Sequence, residues 1–143
     1  MTQWLLLQYK LPPEPSALRV SAWRKLKRLG AILFQDTVWV LPCTARTLEQ
    51  FQWLAAEIVE MGGEAALWES TPALPGGVET LVTQFQKQVE EGYRAIFAQL
   101  EQPEADLDAL SRQYQQILQK DYFQSQLGQH VRQALLARRG ENA

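Results

Sequence analysis

The sequence predicts an α+β fold, because strand and helix patterns alternate over the first seventy residues and only helical patterns follow. The first segment, Trp4 to Tyr9, is apolar on both alternating faces, which is typical of a central strand covered on both sides. After it come a basic helix, two strands, a second helix and a last strand. This β-α-β-β-α-β order is the pattern of a ferredoxin-like two-layer sandwich.

The first helix follows a proline-rich turn in which Pro12, Pro13 and Pro15 stiffen the exit from the first strand. Ser16 is then placed to cap the helix N-terminus, and Gly30 is predicted to end the helix in a left-handed conformation. Apolar residues at helical spacing define the face that packs on the sheet. They are Leu18, Ala22, Leu26 and Leu29, with Trp23 beside them.

The next two strands are expected to form a hairpin. Ala31 to Gln35 and Val38 to Leu41 are joined across Asp36-Thr37, a tight turn that lacks the usual glycine. Asp36 is therefore interpreted as a turn residue and not as a metal ligand. We expect the two strands to pair.

A second helix and a last strand complete the sandwich. Thr44 or Thr47 is predicted to cap the helix, which ends at Gly62-Gly63, and Ala65 to Trp68 forms the fourth strand. The apolar side of the helix is expected to contain Leu48, Phe51, Trp53 to Ala55 and Ile58.

Prolines and glycines in residues 71–77 exclude both helix and central strand, so this segment is predicted to be a linker. It separates a domain over residues 1–70 from a helical region over residues 78–143. In that region, apolar residues at three- and four-residue steps predict a long helix up to Leu100, a break at Pro103 and two further helices. The helical region is expected to pack on the sheet or on a partner.

The face of the sheet away from its helices is predicted to be apolar, because Trp4, Phe34 and Trp39 are assigned to it. A large exposed apolar face is uncommon on a soluble monomer, so the helical region or a second copy should cover it. We favour a homodimer. An RRM domain would use such aromatics to stack single-stranded RNA, but its Lys/Arg-Gly-aromatic signature is absent, so they are interpreted as core.

The composition excludes several classes of active site. Cys43 is the only cysteine and His130 the only histidine among 143 residues, which rules out a disulfide within the chain, a Cys-x-x-Cys pair and the usual zinc clusters. Where some nucleases with this sandwich have an acidic metal ligand, this chain has Tyr9-Lys10. No glycine-rich phosphate loop or nucleophile elbow is present, and no cofactor or metal is expected. The protein is expected to be non-enzymatic.

The distribution of charge is more informative than the net charge of −2. A short helix contains a cluster of basic residues that could neutralise several DNA phosphates, giving salt-dependent binding that is largely independent of base sequence. The alternative is a solvated helix face. The predicted DNA-binding residues are Arg19, Arg24, Lys25, Lys27 and Arg28.

Several segments of the sequence resemble one protein family. The segments that carry the resemblance are a WLLL strand, an LPPEPS turn, a helix ending WRKLKRLGA, a strand pair ILFQDTVWVLP and a helix reading WLAAEI before Gly-Gly. They are similar to the N-terminal domain of ChrB, a regulator associated with bacterial chromate resistance. The similarity continues through Asp121-Tyr122-Phe123 and Val131 to Leu135.

The resemblance implies a transcriptional regulatory module that binds double-stranded DNA in a chromate or stress response. Full-length family members have a further C-terminal domain, whose activity is not carried over to this chain. The basic cluster could instead bind an oxyanion such as chromate, although a surface cluster lacks the enclosure that selective binding needs.

The second hypothesis is a protein-interaction module without nucleic-acid binding. It would form a homodimer or bind a separately encoded partner domain through apolar surface. The longest apolar stretch near the N-terminus, Trp4 to Leu7, is too short for a membrane span or a signal-peptide core, so a cytoplasmic location is expected.

Overall fold

The computed structural model describes residues 3–34 and 38–141, so the predicted turn at Asp36-Thr37 lies outside the described residues. Contacts divide the chain into two units, one up to Gly77 and one from Val78 onward. The first unit contains strands and helices, and the second contains helices in its described part. The α+β class predicted from the sequence is confirmed.

The first unit is built from four strands and two helices within its described residues. In chain order the elements are β1 (Trp4–Lys10), α1 (Ser16–Leu29), β2 (Ile32–Phe34), β3 (Val38–Pro42), α2 (Ala45–Glu60) and β4 (Glu64–Ser70). The strands form an antiparallel sheet in the order β2-β3-β1-β4. The central position of β1 and the pairing of β2 with β3 are therefore confirmed.

The strand register corrects the predicted aromatic face. Leu7 pairs with Trp39, whereas Trp4 pairs with Pro42. Paired residues share a face and successive residues alternate between faces, so Trp39 and Trp4 lie on opposite sides of the sheet. Phe34 pairs with Val38 and shares the face of Trp4. The assignment of Trp39 to the face away from the helices was wrong.

Helix α1 begins and ends for different reasons. The N-cap is Pro15, whose extended φ and ψ of −74° and 144° precede the first helical residue, so the predicted cap at Ser16 was wrong. At the other end Gly30 has φ 80°, and its N–H donates to the carbonyls of Leu26 and Lys27, as predicted. Ala22 and Leu26 are buried against the rest of the unit.

Helix α2 begins with a capping box. The Thr44 Oγ1 accepts the Thr47 N–H at 3.0 Å, and the Thr47 Oγ1 accepts the Thr44 N–H at 2.8 Å. The Thr47 hydroxyl also donates to the carbonyl of Pro42 at 2.6 Å, which connects the helix to the end of β3. Phe51 is buried as predicted, but Trp53 is 66% exposed and does not belong to the apolar side.

The return from α2 to β4 requires a glycine at a close approach. Gly62 has φ 89°, and the Gly63 N–H donates to the carbonyl of Ile58 at 2.9 Å. A Cβ at Gly63 would overlap the backbone carbonyl of Lys10, at the end of β1. The glycine pair predicted to end the helix therefore also lets the chain pass close to the neighbouring strand.

Three helices form the described part of the second unit, and the first of them begins at Gly77, the last residue of the first unit. They are α3 (Gly77–Leu100), α4 (Leu107–Leu118) and α5 (Gln126–Glu141). Pro103 lies between α3 and α4, as predicted. Asp106 caps α4 by accepting the Ala109 N–H at 3.1 Å. The core draws on all three helices and consists of Val89, Tyr93, Ile96, Leu100, Leu110, Tyr114, Val131 and Leu135.

Helix α5 also contacts the polar ends of its neighbours. The Arg138 guanidinium donates to the carbonyl of Leu100 at 2.6 Å, at the last turn of α3. Arg139 donates to Asp108 at 2.9 Å and to Ser111 at 3.0 Å in α4. Over residues 3–34 and 38–141, no helix combines the length and the apolar character needed to cross a membrane.

Candidate nucleic-acid interface on helix α1

The five predicted basic residues lie on the part of α1 that is not buried. Because an α-helix turns every 3.6 residues, their spacing distributes them around the exposed arc instead of along one line. The buried residues Ala22 and Leu26 form the centre of the opposite side. The cluster therefore divides into parts with different neighbours.

Lys25 is the member that faces α2. Its ammonium forms an ion pair with the carboxylate of Glu57, and both side chains are 38% exposed. Part of its positive charge is thus neutralised within the protein. Lys25 therefore presents less free positive charge to solvent than its position in the sequence suggested.

Arg24 and Arg28 form the centre of the exposed arc. They are one helical turn apart and lie side by side around a shallow cavity of about 330 Å³. The other residues that line it are Ala17, Val20, Ser21 and Lys25. In the described part of the chain, neither guanidinium has an acidic partner within ion-pair distance. Their donors remain accessible to an external anion.

Lys27 lies beside an exposed aromatic ring. Its Nζ is 5.8 Å from the centroid of the Trp23 ring, which is within the range of a cation–π contact. Trp23 is 51% exposed, an unusual value for a large indole. The surface of α1 therefore presents an aromatic plane together with its cations.

Arg19 lies at the opposite border of the arc from Lys25, at a groove between α1 and the sheet. The groove has a volume of about 570 Å³ and is lined by Tyr9, Lys10, Leu11, Arg19, Val20, Trp23, Leu33 and Trp39. Burial raises the pKa of Tyr9, while a hydrogen bond with Trp39 and the charge of Arg19 oppose that effect. Arg19 is thus close enough to the phenol to influence its ionisation.

The remaining chemically reactive residues do not form a site. Cys43 follows β3 and is half-buried, and burial raises the pKa of its thiol, to which Glu69 adds a smaller effect in the same direction. A nucleophilic thiol needs the opposite shift. His130 is exposed on α5. Within the residues that the structure describes, no three His, Cys, Asp or Glu side chains come together as a metal site would require.

Two features of this surface were not predicted. The ion pair of Lys25 joins residues that are 32 positions apart, a separation at which local charge spacing gives no signal. The groove depends on the side of the sheet that Trp39 faces. Only the pairing of β1 with β3 could have revealed the groove. Because Leu7 pairs with Trp39, both side chains lie on the sheet face that packs against α1.

Comparison with known proteins places these features in context. A family model described as the N-terminal part of protein ChrB matches residues 19–99, a range that begins within α1 and includes all five basic residues. Protein ChrB of Cupriavidus metallidurans is 31% identical over 96 residues, which cover 67% of this chain and 26% of the relative. The chain therefore matches about a quarter of that protein. No solved structure matches the chain significantly.

Proposed function

The chain belongs to the family of ChrB N-terminal domains, and from that premise we propose that it is a non-enzymatic DNA-binding regulatory module in a chromate or stress response. Transcriptional regulation and double-stranded DNA as the partner are parts of the same proposal. The protein acts in the cytoplasm, where the DNA is found.

The observation that supports DNA binding is the exposed pair Arg24 and Arg28, which lie one helical turn apart. Lys27, next to Arg28 in the sequence, is exposed beside the Trp23 ring. Guanidinium groups bind phosphate through paired hydrogen bonds, and successive phosphates of one strand are spaced closely enough for neighbouring turns of a helix to reach them. Such contacts position a protein on DNA without reading its sequence. Base-specific contacts would come from other residues.

The architecture fits the same proposal. The order β2-β3-β1-β4 and the sequence of elements are those expected of a ferredoxin-like sandwich. We assign that fold to the first unit. We also propose that two copies of the protein form a homodimer.

A binding measurement tests the proposal. Fluorescence anisotropy of a labelled duplex from the gene's own upstream region should show salt-sensitive binding that is stronger than to an unrelated duplex. Arg24→Ala/Lys27→Ala/Arg28→Ala should weaken binding and reduce the salt slope by about three. The control is Arg94→Ala/Arg112→Ala/Arg132→Ala, which removes equal charge from the helical unit. Equal affinities for the two triple variants would contradict the assigned surface.

A protein-interaction module is the second candidate, and exposed aromatic residues favour it. Trp53 and Trp68 are 66% and 56% exposed, and Phe34 is 37% exposed. Trp68 pairs with Leu6, so it shares with Phe34 the sheet face away from α1. Such apolar surface is typical of contact with a second copy or with a separately encoded domain.

Salt distinguishes the two candidates. An apolar interface should be almost insensitive to ionic strength, whereas phosphate binding weakens steeply. Light scattering during size-exclusion chromatography at low and high salt measures the mass of the assembly. Dimers at both salt concentrations, with no duplex binding at low salt, would favour the interaction module.

A further inference from the structure

The groove between α1 and the sheet has the chemistry of a site for a flat, apolar group. Tyr9 and Trp39 line it from the sheet and Trp23 lines it from α1. Its volume of about 570 Å³ falls within the roughly 300–1,000 Å³ of clefts that hold small organic groups. Trp23 and Leu33 are 51% and 43% exposed, so the groove is open to solvent.

Cations continue from this groove along α1. Arg19 lines the groove, Lys27 lies beside the Trp23 ring, and Arg24 follows on the exposed arc towards Arg28. Lys25, at the far border, is paired with Glu57. Aromatic faces next to a row of cations are the means by which proteins bind single-stranded nucleic acids, with bases on the rings and phosphates on the cations.

We propose that this groove holds an unpaired base of single-stranded DNA against Trp23, while Arg19 and Lys27 contact the flanking phosphates. The choice of DNA depends on the proposed function, which assigns DNA to the surface of α1. An unpaired base is required because the faces of paired bases are covered by their neighbours in a duplex, and only a base removed from the stack can cover an aromatic ring. The groove thus adds a base-binding site to a surface that otherwise contacts only phosphates.

The test compares four labelled ligands of one mixed sequence by fluorescence anisotropy at low salt. They are single-stranded DNA, the same strand with abasic positions, the duplex, and single-stranded RNA. Trp23→Ala is compared with Trp53→Ala, which removes an exposed tryptophan of the same unit outside the groove. Trp23→Phe tests rescue by another aromatic ring, and circular dichroism establishes that each variant is folded.

Trp23→Ala should weaken binding of single-stranded DNA by about 5- to 150-fold, the range measured for loss of one base–aromatic stack. Trp53→Ala should leave the affinity unchanged, and Trp23→Phe should restore most of it. The abasic strand should bind the wild type and Trp23→Ala equally, because it keeps its phosphates but has no base to stack.

Four results would overturn the inference. Equal binding of the abasic and complete strands by the wild type would show that no base is held, independently of whether any variant folds. Binding of the duplex without binding of the single strand would overturn the inference and leave the proposed function intact. Tighter binding of RNA than of DNA would overturn the assignment to DNA, and absence of binding to all four ligands would contradict both proposals.

Discussion

The hydroxyl of Tyr93 in α3 donates a 2.9 Å hydrogen bond to the carboxylate of Asp121, in the turn between α4 and α5. The same carboxylate accepts the N–H of Ser125 at 3.0 and 3.1 Å. Tyr93 is fully buried, and burial followed by the Asp121 carboxylate raises the pKa of its phenol. One acidic side chain therefore connects the middle of α3 to the start of α5.

Tyr93→Phe should lower the free energy of unfolding by about 1.5–3 kcal/mol near neutral pH, because it removes a hydrogen bond to a charged acceptor. This deficit should shrink above about pH 10. There the unfolded wild type releases the phenolic proton while the folded protein retains it, so the stability of the wild type falls by about 1.4 kcal/mol per pH unit. Urea unfolding followed by helical circular dichroism at several pH values measures both effects. A deficit that does not change with pH would show that Tyr93 does not ionise in this way.

Glu57→Gln should increase the affinity for duplex DNA and raise the salt slope by up to about one, because it releases Lys25 to contact a phosphate. The cost in stability should be below about 1 kcal/mol, since both partners are more than one-third exposed. Glu60→Gln is the matched control, because it removes an equal charge from the same helix at an exposed position. If both variants raise the affinity equally, the effect is one of net charge and the ion pair does not limit Lys25.

Gly63→Ala should destabilise the first unit more than Gly76→Ala. The added methyl group at Gly63 would overlap the Lys10 carbonyl, and backbone atoms cannot move aside without disturbing the β1–β4 pairing. We expect Gly63→Ala to lower the free energy of unfolding by about 1–3 kcal/mol or more. At Gly76, φ is 84° but nothing lies within 4 Å of an added methyl group, so only backbone strain of about 1–2 kcal/mol applies. Thermal unfolding of the two variants provides the comparison, and a larger loss at Gly76 would contradict it.

Thr44→Ala should lower the free energy of unfolding by about 1 kcal/mol, because the capping box at the start of α2 loses the acceptor for the Thr47 N–H. Thr44→Ser keeps a hydroxyl at the same place and should retain most of the stability. Chemical unfolding measures the difference between the two variants. Equal losses would mean that the methyl group of Thr44, and not its hydroxyl, stabilises the helix.

Local sequence patterns predicted the helices and strands of the first unit, but they did not predict for every strand which side chains face the helices. The alternation of helices and strands, the glycine at the end of α1 and a threonine cap on α2 follow from residue types within a few positions, although those residue types left Thr44 and Thr47 as alternatives for the cap. The face of Trp39 does not, because β3 is apolar at every position and has no alternation from which to assign its sides. Only pairing with β1 determines it.

The candidate site divides in the same way. Helical periodicity places Arg24, Lys27 and Arg28 opposite the apolar side of α1, where they are exposed, but the pairing of Lys25 depends on how α1 and α2 are packed together. At the start of α1, Pro15 and not Ser16 occupies the N-cap position. Pro15 adopts the extended conformation that a cap position needs, so Ser16 is the first residue of the helix instead of its cap.

The contacts of α5 have a consequence for the order in which the chain folds during synthesis. A ribosome releases residues from the N-terminus onward, so β1 to β4 can pair as soon as the chain has emerged as far as Ser70. The helical unit has to wait, because Val131 and Leu135 complete its core and Arg138 binds the carbonyl of Leu100 at the end of α3. Until α5 emerges, the apolar side of α3 is left without part of its core, and during this interval the nascent chain is most exposed to aggregation and to chaperones.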